Sequence, residues 1–102
     1  MKKKNAVIEI LRANEASIRS YGVRRLGIFG SVARGEHHAE HHAGSDVDLL
    51  VEFQKETKTF DNFIHLVFFL EELLGRKVEL ITTDSLSPYI GPRILEEVEY
   101  VS

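Results

Sequence analysis

Three short apolar segments alternate with segments of helical periodicity along this chain, and this alternation constrains its fold more than any other feature. The apolar segments lie at 25–29 (RLGIF), 47–53 (VDLLVEF) and 76–82 (RKVELIT). In the second segment every other residue is apolar, which is the two-residue period of a strand with two distinct faces. Strands that alternate with helices predict an α/β fold with helices packed on a sheet.

A first helix is predicted over residues 5–20. Ile8, Leu11 and Ile18 recur in it at helical spacing, which places their side chains on one face. Gly22 follows as a stop signal, because glycine readily takes the backbone conformation that ends a helix.

Two further helices are predicted in the second half of the chain. One spans about residues 60–74 and ends at Gly75, a favourable C-terminal cap. Its predicted buried stripe comprises Phe60, Phe63, Ile64, Val67, Phe68 and Leu74. The last helix has Pro92 in its first turn and continues to about Tyr100. The predicted order is therefore helix, strand, turn and helix, strand, helix, strand, helix.

Length and composition restrict the possible functions. A chain of 102 residues is sufficient for one small domain, which we expect to span residues 1–102. The absence of cysteine excludes disulfides and thiolate zinc sites and fits a cytoplasmic location. A formal net charge of −3 argues against general nucleic-acid binding, which requires a basic surface. We expect no membrane association, because every segment falls short of the ~18 uninterrupted apolar residues of a span.

Gly30 and Ser31 directly follow the first predicted strand. Glycine allows backbone amides to approach a phosphate closely, and the amino end of a following helix, with Ser31 as its cap, adds free N–H groups. The signal is weak on its own, because many strand-to-helix turns carry Gly-Ser for conformational reasons.

Acidic residues accompany the second and third predicted strands. Asp46 and Asp48 project from one face, roughly 6.5–7 Å apart along the strand, and two such carboxylates can bind a pair of divalent ions. Glu79 lies inside the apolar run VELI, where an acidic side chain is unusual unless it is paired or bound to metal. If the two strands are neighbours, Glu79 lies beside the aspartates. The alternatives are a hydrated strand entry for the aspartates and an edge strand with Glu79 in solvent.

Taken together, GIFGSVARGE, SDVDLLVEF and KVELIT resemble the minimal nucleotidyltransferase (MNT) family, within the superfamily that contains DNA polymerase β. The resemblance spans essentially the whole chain. It implies a small nucleotidyltransferase fold, a mixed sheet of three or more strands with helices packed on it. It also implies metal-dependent transfer of AMP, in which a hydroxyl attacks the α-phosphorus of ATP and pyrophosphate leaves.

The resemblance also implies two groups of site residues, carboxylates that catalyse transfer and bind two Mg²⁺ ions, and residues that bind the nucleotide. The carboxylates are Asp46, Asp48 and Glu79, and the nucleotide-binding residues are Gly30, Ser31 and Arg34. An ion pair with Glu36 or Asp46 is an equally good role for Arg34. The chain departs from the family pattern in two respects. Fourteen residues separate Ser31 from Asp46, more than is usual, and the third acid is glutamate where aspartate is commoner.

The longer spacing coincides with four histidines, His37, His38, His41 and His42. Histidines one helical turn apart can bind zinc or nickel. The alternative, a polar loop without a metal function, is the interpretation that the sequence favours.

A partner follows from the same resemblance. The implied acceptor is a HEPN-domain ribonuclease toxin encoded alongside, which receives AMP on a tyrosine, so that this chain acts as its antitoxin in a hetero-oligomer. One alternative is an antitoxin that neutralises by binding alone. Another is a transferase for small hydroxylated molecules such as aminoglycosides. The intact Gly-Ser and Asp-x-Asp motifs favour an enzyme over a binding module.

Overall fold

A computed structural model describes residues 3–30, 47–56 and 59–101 of the chain. Its elements are, in order, α1 (Lys3–Ala13), α2 (Glu15–Arg19), β1 (Val23–Phe29), β2 (Val47–Phe53), α3 (Phe60–Leu74), β3 (Val78–Thr82), a 3₁₀ turn (Thr83–Ser85), α4 (Gly91–Glu97) and β4 (Glu99–Tyr100). None of the helices in these three ranges is both long and apolar enough to cross a membrane.

The strands form one four-stranded sheet in the order β3-β2-β1-β4. β1 is antiparallel to both β2 and β4, whereas β2 and β3 are parallel. A parallel pair needs a long crossover connection, and α3 supplies it with 15 residues. The predicted mixed sheet of three or more strands with packed helices is therefore confirmed.

The two faces of the sheet carry separate cores. Val47, Leu49 and Val51 of β2 are fully buried against the side chains of α1, α2 and α3. Leu50 points to the opposite face, where it packs with Phe29 and with residues of α4. The alternation predicted for β2 thus separates a helix-covered face from the face that carries α4.

The predicted first helix is interrupted at Asn14. α1 ends at Ala13 and α2 begins at Glu15, and the Asn14 side-chain amide donates to the carbonyl of Ile10 at 2.8 Å. Asparagine competes for backbone hydrogen bonds in this way, which is why it is unfavourable inside helices. The expectation of one continuous helix over 5–20 is wrong, although the apolar residues expected to face the core are buried.

The bounds of α3 agree with the prediction, but the predicted buried stripe is partly wrong. Leu66 and Leu70 are completely buried, whereas the side chains of Phe60 and Phe68 are 76% and 59% exposed. Phe68 follows Leu66 by two residues and so lies about 200° around the helix axis. Phe63, Val67 and Leu74 of the predicted stripe do pack against the core.

The C-terminal segment differs from the predicted single helix. α4 ends at Glu97, and the residues that follow form β4 instead of continuing the helix to Tyr100. Val98 is extended (φ −66°, ψ 139°), and the N–H of Val101 donates to the carbonyl of Leu26 at 2.8 Å. The Arg25 guanidinium covers the Tyr100 ring at 4.3 Å. The segment pairs with β1 because a strand edge offers backbone partners that a longer helix would leave unused.

Candidate active site

Two acidic side chains meet on the sheet face opposite α1, α2 and α3. Asp48 of β2 is the register partner of Glu79 of β3, and the two strands are parallel. Register partners in a parallel pair share a face and are separated by the strand spacing of about 4.8 Å. Asp48 is half-buried, while Glu79 is exposed because β3 is an edge strand. Glu79 therefore lies on an edge strand and also beside Asp48, whereas its role in the site stays a prediction.

Gly30 adjoins this carboxylate pair at the end of β1. It directly follows Phe29, which is the register partner of Asp48. Its φ of +80° is a conformation that residues other than glycine rarely adopt. A Cβ atom on Gly30 would overlap the Asp48 Oδ2 atom and lie only 2.9 Å from Asp48 Cγ. Glycine is thus required here both by its backbone conformation and by the close approach to Asp48.

A glutamate from α4 completes the surroundings of Gly30. The Gly30 N–H donates to Oε2 of Glu97 at 2.7 Å, in a partly buried hydrogen bond. Sequence reasoning did not single out Glu97. One available signal was its position in the last turn of a helix, where a carboxylate faces the negative end of the helix dipole.

A cavity of about 380 Å³ opens between Gly30 and α4, and Phe29, Ile90, Arg93 and Glu97 are among its lining residues. This volume lies within the range of small-molecule sites. Arg93, which sequence reasoning also missed, brings a cation to the cavity wall. A second cavity of about 390 Å³ lies between α3 and β3 and is lined only by apolar and hydroxyl side chains, so it offers no charged group to a phosphate.

Part of the predicted site falls outside the described residues. Ser31, Arg34 and Asp46 lie there, as do the four histidines, and their roles remain predictions. Within residues 3–30, 47–56 and 59–101, no group of three or more acidic, histidine or cysteine side chains is arranged to hold a metal ion. Of the three predicted catalytic carboxylates, the structure brings two together, Asp48 and Glu79.

The chain belongs to the nucleotidyltransferase domain family, whose model matches residues 7–101. It is a nucleotidyltransferase by fold and by family. It is 43% identical, over 93 residues, to the protein adenylyltransferase MntA of Thermococcus cleftensis, a match that covers 90% of this chain and 89% of that protein.

Solved structures agree with this assignment. A chain described as a candidate minimal nucleotidyltransferase has a TM-score of 0.70 and 35% identity, covering 90% of this chain and 93% of the other. A chain from the complex of a tri-AMPylated HEPN toxin of Shewanella oneidensis with an MNT antitoxin has a TM-score of 0.64, covering 93% and 71%. At 15% identity, that second likeness concerns the fold alone. The predicted membership of the minimal nucleotidyltransferase family is confirmed.

Proposed function

We propose that this nucleotidyltransferase transfers AMP from ATP to a tyrosine hydroxyl of a HEPN toxin, and so acts as the antitoxin of that protein. The observation that carries the proposal is the pairing of Asp48 with Glu79 beside the Gly30 turn. Further support is that the Thermococcus cleftensis relative is named a protein adenylyltransferase. A chain of the same fold also occurs in a complex of a HEPN toxin with an MNT antitoxin.

The described carboxylates suit magnesium. Mg²⁺ prefers oxygen ligands and commonly uses one or two carboxylates together with substrate phosphates. Asp48 and Glu79 share one face in register, and two like charges so close together favour a bound cation. We assign Asp46, two residues before Asp48, as the third ligand of a two-ion site. When bound, the ions would neutralise phosphate charge and polarise the α-phosphoryl group.

Residues of the chain bind the phosphates and accept the proton of the incoming hydroxyl. Gly30, whose N–H is donated to Glu97 and whose missing side chain leaves room for Asp48, shapes the turn beside the triphosphate. Ser31 and Arg34 add donors to the phosphate oxygens. Arg93 on the cavity wall offers a further cation. Glu79, exposed on the edge strand, accepts the proton of the incoming hydroxyl as its oxygen bonds to the α-phosphorus and the bond to pyrophosphate breaks.

Exposed apolar side chains lie beside the same cavity and support a protein acceptor. Ile90 lines the cavity and is 52% exposed, and its neighbour Tyr89 is 87% exposed. An apolar surface next to a site marks a place where another protein can bind. We propose that the toxin covers this surface when it presents its hydroxyl.

Mass spectrometry of the toxin tests the proposal directly. The HEPN protein that the proposal expects to be encoded next to this chain is co-expressed, purified, and incubated with the chain, ATP and Mg²⁺. Intact-mass analysis should then show the toxin heavier by one or more AMP groups, and peptide analysis should place them on tyrosine. An unmodified toxin under these conditions would contradict the proposal.

A comparison of variants separates catalysis from binding. The Asp46→Ala, Asp48→Ala double variant should still bind the toxin but leave its RNA cleavage active at equal concentrations. Full neutralisation by this variant would show that binding alone inactivates the toxin. If a small hydroxylated molecule were adenylylated and the toxin were not, the chain would instead be a small-molecule transferase.

A further inference from the structure

We propose that Glu97 is a positioning residue of this active site. Its carboxylate fixes Gly30, and through Gly30 it fixes the side chain of Asp48, in the arrangement that binds Mg²⁺ and ATP. The kinetic part of this inference rests on the proposed function. The contact itself can be tested in the protein without nucleotide.

The position of Glu97 follows from the pairing of β1 with β4. Ile28 is the antiparallel partner of Glu99, so continuing this register by two residues places Gly30 opposite Glu97. In an antiparallel ladder an N–H at such a position donates to the facing strand. β4, however, begins only at Glu99, and the carboxylate of Glu97 accepts the Gly30 N–H at 2.7 Å. A side chain thus takes the place of a strand backbone at the end of β1.

Helix α4 supports this role for a charged side chain. Glu97 is the last residue of α4, and the last turn contains no basic residue. A carboxylate there interacts unfavourably with the helix dipole, so helix stability alone does not favour glutamate. A hydrogen bond from a backbone amide to a carboxylate is stronger than one to a neutral acceptor. The bond from Gly30 therefore compensates for the unfavourable interaction of Glu97 with the helix dipole.

Gly30 transmits this contact to the carboxylate pair. The Gly30 backbone lies so close to Asp48 that an added Cβ would come within 2.9 Å of Asp48 Cγ. The Gly30 backbone is therefore one wall of the space that the Asp48 side chain occupies. A shift of Gly30 would release Asp48 from its position beside Glu79. Two contacts, from Glu97 to Gly30 and from Gly30 to Asp48, thus connect α4, the end of β1 and β2.

Two substitutions at Glu97 and a matched control test the inference. Glu97→Gln keeps an oxygen that accepts the Gly30 N–H, whereas Glu97→Ala removes the acceptor. Glu72→Ala removes an exposed glutamate of α3 on the other face of the sheet and serves as the control. Each variant is purified without nucleotide, and its melting temperature is measured first to establish that it is folded.

The first readout is the Gly30 amide itself, followed by NMR in the protein without metal. Glu97→Ala should move the amide proton resonance upfield and speed its exchange with solvent about tenfold or more, because the acceptor is lost. Glu97→Gln and Glu72→Ala should leave exchange within about threefold of wild type. An unchanged Gly30 amide in Glu97→Ala would overturn the inference.

The second readout is the dependence of AMP transfer on ATP and Mg²⁺. Glu97→Ala should raise the KM for ATP and the Mg²⁺ concentration for half-maximal rate about ten- to a hundredfold. In Glu97→Gln both values should lie much closer to those of wild type, because the acceptor is kept. If Glu97→Gln is as impaired as Glu97→Ala, or if neither value changes in Glu97→Ala, the positioning role is wrong. If wild type transfers no AMP, the proposed function fails, while the amide measurement still decides on the contact.

Discussion

Replacing Gly30 with alanine should damage nucleotide binding far more than a comparable glycine substitution elsewhere. Gly30 and Gly75 both have positive φ, +80° and +66°, a conformation that costs alanine roughly 1–2 kcal/mol. A Cβ at Gly75 would meet no atom of the described residues within 4 Å apart from its chain neighbours, whereas a Cβ at Gly30 would overlap the Asp48 carboxylate. Gly75→Ala therefore serves as a control that carries the backbone cost alone.

The two costs can be worked out separately. Moving the Asp48 side chain off its rotamer adds about 0.5–1.5 kcal/mol at Gly30. We therefore expect Gly30→Ala to lower the free energy of unfolding by about 1.5–3.5 kcal/mol and Gly75→Ala by about 1–2 kcal/mol. The displaced carboxylate can no longer pair with Glu79 around a cation, so the affinity for ATP in Mg²⁺ should fall about tenfold or more in Gly30→Ala.

Urea unfolding without metal measures the stabilities, and titration calorimetry with ATP and Mg²⁺ measures the affinities. Gly75→Ala should bind ATP as wild type does. Wild-type affinity for ATP in Gly30→Ala would show that the overlap with Asp48 does not disturb the site. An equal loss of affinity in Gly75→Ala would contradict a specific role of the contact with Asp48, because backbone strain alone would then account for the effect.

Three further predictions concern the charges and the core. Asp48→Asn should abolish AMP transfer, while its melting temperature without metal stays equal to or slightly above wild type because repulsion from Glu79 is relieved; unfolding would instead make Asp48 structural. Calorimetry should show ATP binding with Mg²⁺ and much weaker binding with EDTA, since the acidic face repels triphosphate, and equal affinities would contradict the metal site. Leu70→Ala should cost about 2–5 kcal/mol in urea unfolding and Phe68→Ala under about 1 kcal/mol; equal losses would contradict the orientation of α3.

Local sequence signals were sufficient for much of the fold. The alternation of VDLLVEF, in which only Leu50 is an apolar residue on the second face, predicted β2 within its observed bounds, because one face of the strand is buried against three helices. The ends of α3 are also local features. The Asn62 N–H donates to the Thr59 hydroxyl at the start, and Gly75 takes a left-handed conformation at the end.

Features that depend on distant parts of the chain could not be predicted in this way. Several apolar stripes can be drawn on a helix as rich in phenylalanine as α3, and contact with the sheet selects the one through Leu66 and Leu70. β4 forms because the edge of β1 is available to it. The contact between Gly30 and Glu97 joins residues 67 positions apart. The roles of Ser31, Arg34 and Asp46 remain predictions from sequence motifs.

The edge position of β3 has a consequence for the size of the acceptor. Among residues 3–30, 47–56 and 59–101, β3 has a neighbouring strand on one side only, so no further strand of these ranges encloses Glu79 on its outer side. An acceptor as large as a folded protein can therefore approach laterally, without threading a flexible chain into a closed pocket. The discrimination among hydroxyls then depends on how well the acceptor's surface fits around the exposed carboxylate. For the toxin acceptor proposed above, specificity is then a property of the two docked proteins together, and a change on either surface can alter which hydroxyl is modified.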